Sequence, residues 1–165
     1  MPRSDSKIQL KWPHWYYPDA PLGAAVRYVA SLSGCFNWVG IYILKDDCLE
    51  LGPFLGEPTE HTEIPVGLGI CGAAVAEDRD LNIPHVSEAE NYLACNLETQ
   101  SELVILIRDK KGKILGQMDI DSHTPAAFGP EEEEAVKKVA QELGTLCSRD
   151  DFINWKENES RSRKK

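Results

Sequence analysis

The four residues Asp109-Lys110-Lys111-Gly112 constrain the fold more than any other stretch, because they separate two β-forming runs. Residues 103–107 are the most apolar run in the chain, and residues 113–121 follow the turn. A crossover to a parallel strand takes a dozen residues or more, so a turn this short forces the two runs to pair antiparallel. An earlier stretch repeats the arrangement. Asn37-Trp38-Val39-Gly40-Ile41-Tyr42-Ile43-Leu44 is rich in β-formers and reads as a strand buried on at least one face. Lys45-Asp46-Asp47 is a polar turn, and residues 48–54 return as the second strand of a hairpin.

Helical patterns flank these hairpins. Asp19-Ala20-Pro21 has the form of a helix start, and Val26, Val29 and Ala30 mark one apolar face up to about Leu32. Gly129-Pro130 opens the last helix, whose first turn, residues 131–134, is entirely glutamate and complements the macrodipole. Val136, Val139, Ala140, Leu143 and Leu146 supply its packing face. Between the hairpins lie a loop at residues 56–63, a short helix at about residues 71–77 and a polar loop at residues 87–100. Residues 81–84 read as an edge segment, since Pro84 cannot donate to a ladder. The order predicts an α+β layer: a mainly antiparallel sheet with helices beside it. At 165 residues one domain is expected, over residues 19–152. Residues 1–18 carry three prolines with Trp12, Trp15, Tyr16 and Tyr17, and are expected to pack as an arm on the domain or on a partner chain. The charged residues 153–165 are expected to be a disordered tail.

The formal net charge of −9 argues against nucleic acid and anionic membrane surfaces as partners. No apolar run approaches the roughly 18 residues a membrane helix requires. No basic patch followed by an apolar stretch opens the chain, so no secretory signal is expected. The five cysteines, Cys35, Cys48, Cys71, Cys95 and Cys147, are odd in number, irregularly spaced and without a CxxC pair. That pattern predicts reduced thiols in the cytoplasm rather than a disulfide framework.

The chemistry gathers between residues 64 and 121. Asp119 and Asp121 are two apart on a strand, so both carboxylates leave the same face. Buried together they would need a cation or a shared proton; the plainer alternative is a solvated sheet end. If the turn at residues 109–112 closes a hairpin, Glu102 lies near both across it. Three acids would suit an ammonium group, and a crowded member could stay protonated near neutrality and act as a general acid. Cys95 sits seven residues before Glu102 in a polar loop, where a reactive thiol is more expected than in apolar burial. Cys71 stands at a helix N-terminus, which favours a thiolate, or else is a small residue packed under the helix. Gly67-Leu68-Gly69 either turns backbone amides toward an anion or is a tight turn. Trp38 and Tyr42 are four apart on a strand and so share a face, where they wall a pocket or pack in the core. No third oxygen donor lies near Asp119 and Asp121 in sequence, and no spacing joins His61 or His85 to the cysteines, so no metal is expected.

Several motifs taken together resemble the free methionine-(R)-sulfoxide reductases, which are single GAF domains. They are Asn37-Trp38-Val39-Gly40-Ile41-Tyr42, Leu51-Gly52-Pro53-Phe54-Leu55-Gly56, Ile64-Pro65-Val66-Gly67-Leu68-Gly69-Ile70-Cys71-Gly72, Ala94-Cys95, Ser101-Glu102 and Met118-Asp119-Ile120-Asp121-Ser122. The likeness runs in one order over roughly residues 37–142. It implies a GAF-like fold, with a central antiparallel sheet of about six strands, terminal helices on one face and a ligand pocket on the other. It implies reduction of free methionine (R)-sulfoxide by a cysteine sulfenic acid and disulfide route, with thioredoxin or another external thiol as reductant and no bound cofactor. By position Cys95 matches the attacking cysteine and Cys71 a second cysteine. Glu102, Asp119 and Asp121 match the acids that hold the substrate ammonium and assist the sulfoxide, with Asp121 or Glu102 as the proton donor. Trp38 and Tyr42 match the aromatic wall around the thioether methyl. The family's further cysteine, four residues before the Ile-Pro proline, is replaced here by His61. Either Cys71 resolves, an external thiol does, or reductase activity is lost and the chain is a non-enzymatic GAF module that binds a small molecule or dimerises in signalling. The aromatic arm and terminal helices lead us to expect a homodimer.

Overall fold

The computed structural model describes residues 12–90 and 97–163. The elements are α1 (Pro21–Ser31), β1 (Trp38–Lys45), β2 (Cys48–Leu55), β3 (Glu63–Pro65), α2 (Gly69–Glu77), β4 (Leu81–Ile83), β5 (Ser101–Arg108), β6 (Ile114–Ser122), α3 (Pro130–Leu146), α4 (Arg149–Ile153) and α5 (Trp155–Arg163). The six strands form one sheet in the order β3-β2-β1-β6-β5-β4. Every neighbouring pair is antiparallel. Both expected hairpins form, and in the second Asp109 ties the turn, its Oδ1 accepting from the Lys111 and Lys113 amides.

Strand alternation sends each set of side chains to one of two layers. Val39, Ile41, Leu103, Ile105, Met118 and Ile120 face a large core shared with α1 and α3. Trp38, Tyr42, Val104 and Leu106 face the opposite layer, which α2 covers through Ile70, Cys71 and Ala74. The bulk of the apolar packing is thus on the helical side, and the second layer is where polar side chains intrude.

Three details differ from the sequence reading. The residue 56–63 loop ends in a three-residue edge strand, β3, paired with β2. Helix α2 begins two residues earlier than expected, at Gly69. The stretch expected to be a disordered tail, residues 153–165, carries the last residue of α4 and all of α5. Its charge content misled, because an aromatic anchors it: Trp155 packs against the main core, and Phe152, just before the stretch, is fully buried. Ser148 and Asp151 form a reciprocal capping box that starts α4. At the other end, Trp15 of the arm is buried, stacks on Tyr28 with ring centroids 6.2 Å apart, and donates to Glu142 Oε2 at 3.2 Å. The described part of the arm therefore packs on its own chain.

Candidate active site

The second layer gathers acids because of register. Glu102 on β5 stands directly opposite Asp121 on β6, and Trp38 on β1 stands opposite Asp121 from the other side. Asp119 lies between Gly40 and Val104 in the same way. Antiparallel partners point to the same face, so Glu102, Asp119, Asp121, Trp38 and Tyr42 share one surface. Helix α2 crosses it and brings Cys71. The thiol donates to Glu102 Oε1 at 3.7 Å, and one ligand-type atom each from Cys71, Glu102 and Asp119 lie within 4.8 Å of one another.

These groups are shut away from solvent: Asp119 is 0% exposed, Asp121 3%, Glu102 4% and Cys71 4%. The alternative of a solvated sheet end is excluded. Neither oxygen of Asp119 nor Oδ1 of Asp121 has a hydrogen-bond donor in good geometry. Among the described residues no ion pair reaches Asp119 or Asp121. Burial pushes the Asp119 carboxyl up from its ordinary range, and the nearby Glu102 carboxyl and Cys71 thiol oppose that rise. They are close neighbours of Asp119 rather than aligned donors to it. Asp121 is pushed well above its ordinary value, first by burial and then by the charge of Asp119. Burial and mutual repulsion favour a proton on Asp121 and make the pair receptive to a cation.

The aromatic wall forms as the spacing predicts. Trp38 and Tyr42 are 6.2 Å apart between centroids, and Phe54 stacks on Trp38 at 5.6 Å. Tyr42 donates its hydroxyl to the His61 carbonyl at 2.9 Å, and Trp38 Nε1 donates to the Glu57 carbonyl at 3.0 Å. Both rings are thereby fixed to the loop before β3, which also carries His61 at its half-buried position.

Gly67 and Gly69 adopt φ values of 95° and 66°, open to glycine at little cost. Two of the three amides in that turn are used locally: Gly67 N–H donates to the Gly72 carbonyl and Leu68 N–H to Pro65. For those two the tight-turn reading holds. Gly72 is needed for close approach, since a Cβ there would stand 2.6 Å from the Pro65 carbonyl oxygen. The turn thus seats α2, and with it Cys71, against the sheet.

Cys95 lies outside the described residues. The chain resumes at Leu97 and runs directly into the site: Gln100 donates to the Ser122 carbonyl at 2.8 Å and accepts from Val86 at 2.9 Å. His61 and His85 do not join the cluster formed by Cys71, Glu102 and Asp119. Two polar residues were missed from the sequence. Gln117 is 0% exposed, pairs across to Tyr42 and Leu106, and neither polar atom of its amide has a partner. Its position two residues before Asp119, on the same face, was the available signal. Buried Thr99, with an unpartnered Oγ1, lies at the same end of the site as Gln100, and no sequence pattern marks it.

Comparison with known proteins places this geometry. The GAF domain model matches residues 18–146. A free methionine-R-sulfoxide reductase of Escherichia coli is 36% identical over 116 residues, 70% of this chain and 69% of that protein. One from Saccharomyces cerevisiae is 33% identical over 120 residues, 71% of this chain and 66% of that protein. The solved type II free methionine-R-sulfoxide reductase of Thermoplasma acidophilum superposes with a TM-score of 0.76 at 36% identity, covering 82% of this chain and 94% of that one. The solved Neisseria meningitidis enzyme in complex with its substrate superposes with a TM-score of 0.72 at 26% identity, covering 86% and 81%.

Proposed function

We propose that this chain, which belongs to the GAF domain family and within it to the free methionine-R-sulfoxide reductases, reduces free methionine (R)-sulfoxide to methionine. One observation carries the reading: three buried acids share a sheet face with two fixed aromatic rings, and α2 lays a thiol against them. A free amino acid brings an ammonium group, and the carboxyl oxygens of Asp119, Asp121 and Glu102 face it in a site with little water. Trp38 and Tyr42 wall the methyl and thioether end.

Sulfoxide oxygen is a poor leaving group, so it must be protonated as sulfur is attacked. Asp121 is the acid best suited, because its carboxyl is held well above the ordinary range, with Glu102 opposite it as the alternative donor. The Cys95 thiolate attacks the substrate sulfur and takes the oxygen; methionine leaves with the sulfur's electron pair restored, and Cys95 becomes a sulfenic acid. With His61 at the family cysteine position, Cys71 is assigned to condense with it, forming a disulfide and releasing water. An external dithiol, thioredoxin by class, then reduces the disulfide. The charged field of three acids disfavours a thiolate, and the bound ammonium offsets it by neutralising part of that charge. The working form is read as a cytoplasmic homodimer; among the described residues no helix is long and apolar enough to cross a membrane.

The test is turnover. The reduced protein with racemic methionine sulfoxide and dithiothreitol should produce methionine and leave the (S) epimer, while Cys95→Ser should not. Equal rates in the two proteins would remove the reductase reading. Peptide mapping without reductant after one turnover should find Cys71 linked to Cys95; Cys95 joined only to small thiols would exclude Cys71 as the resolving residue.

A further inference from the structure

We propose that Cys71, Glu102 and Asp119 also form a binding site for a thiophilic divalent cation of the Zn2+ class. The ion would occupy the space that the substrate's ammonium enters, and so act as a reversible competitive inhibitor. The competition rests on the function proposed above; the site itself does not. The sequence argument against a metal was that no third donor lies near Asp119 and Asp121 along the chain. Folding supplies what spacing did not, because β5, β6 and α2 each contribute one donor.

Geometry is the strongest support. Tetrahedral zinc with bonds of about 2.3 Å to sulfur and about 2.1 Å to oxygen holds its sulfur and oxygen donors about 3.6 Å apart. Cys71 Sγ and Glu102 Oε1 are 3.7 Å apart, and the Asp119 oxygen lies within 4.8 Å of both. A side-chain rotation of modest size closes the third distance. The donor set, one thiolate and two carboxylates, suits borderline-soft zinc better than magnesium or calcium, which take oxygen alone.

The second support is the state of the acids around it. Asp119 is wholly buried with both oxygens lacking a donor, and Asp121, outside the trio, has a buried Oδ1 lacking one too. Buried carboxylates are ordinarily paired or hold a cation. No Lys, Arg or His among the described residues forms an ion pair with either. An ammonium meets this demand only while substrate is bound. Between turnovers a divalent ion meets it with two charges, and a water can take the fourth position. The geometry is that of a closed, protein-supplied three-donor site with one exchangeable position.

Cobalt(II) titration of the full chain, kept reduced with a phosphine rather than a dithiol, reads the thiolate directly. One ion per chain should bind and give a thiolate-to-cobalt charge-transfer band in the near ultraviolet, which Zn2+ abolishes by displacement. Cys71→Ser should lose the band. Asp119→Asn and Glu102→Gln, checked as folded by circular dichroism, should each weaken binding by about tenfold or more. A band that survives Cys71→Ser, or affinity unmoved by both acid variants, overturns the site. Methionine, which is not consumed, should raise the apparent cobalt dissociation constant more than the same concentration of glycine, which chelates free cobalt alike but lacks the thioether; an equal shift overturns the shared space. Since none of these readouts requires turnover, an inactive protein that binds cobalt this way and an active one that does not are distinguishable outcomes.

Discussion

Replacing Gln117 with methionine should stabilise the ligand-free protein. Gln117 is wholly buried between Tyr42 and Leu106, and neither its Nε2 nor its Oε1 has a partner. A buried polar group left unsatisfied costs about 1–3 kcal/mol, because it has lost its hydrogen bonds to water and gained none. Methionine follows the same unbranched path with an apolar, adaptable side chain, so the space stays filled. Taking about 2 kcal/mol as the relief, and about 2–4 °C per kcal/mol for a domain of this size, Tm should rise by roughly 4–8 °C. Calorimetry of both proteins in the same buffer, with methionine and metals absent, gives the comparison. An unchanged or lower Tm would refute the reasoning, since it would mean that the amide is satisfied in solution and that removing it costs a real hydrogen bond.

Three further outcomes follow from groups already described. Asp121 has its carboxyl raised well above the ordinary value in the fold, so the folded state keeps a proton that the unfolded chain releases near pH 4. Its contribution is fully present below that pH and is lost as pH rises toward the raised value; Asp121→Asn should match wild type near pH 4 and become progressively more stable than it at higher pH, by urea denaturation across the range. Phe152→Ala should cost about 3–5 kcal/mol, and Ser148→Ala about 1 kcal/mol, because the first removes the buried anchor of the C-terminal helices and the second their cap; equal Tm for Phe152→Ala and wild type would mean that α4 and α5 contribute nothing to the core.

What could be read from the sequence was whatever a tight turn or a period of two decides locally. The turn at residues 109–112 fixed the antiparallel pairing of β5 with β6, but the register that sets Glu102 opposite Asp121 also depends on an irregularity between Ile107 and Arg108, which the turn does not reveal. Alternation placed Trp38 with Tyr42 and Asp119 with Asp121. Whether those aspartates are wet or buried was not readable, because the alternation is the same in both cases; the answer depends on α2 lying over the sheet. The approach of Cys71 to Glu102, 31 residues away along the chain, depends on the same docking. Gln117 escaped notice because a polar residue at a core-facing position looks like an error in the pattern until its neighbours are known. The tail at residues 153–165 was misjudged from charge alone, when Trp155, three residues after the buried Phe152, carried the contrary signal.

The sheet ends on both sides in strands only three residues long, β3 and β4. Pro65 closes the first and Pro84 follows the second, each without an amide hydrogen to offer. Neither rim is a template on which a strand from another molecule could be laid, so ribbon-like growth from chain to chain is blocked at both borders.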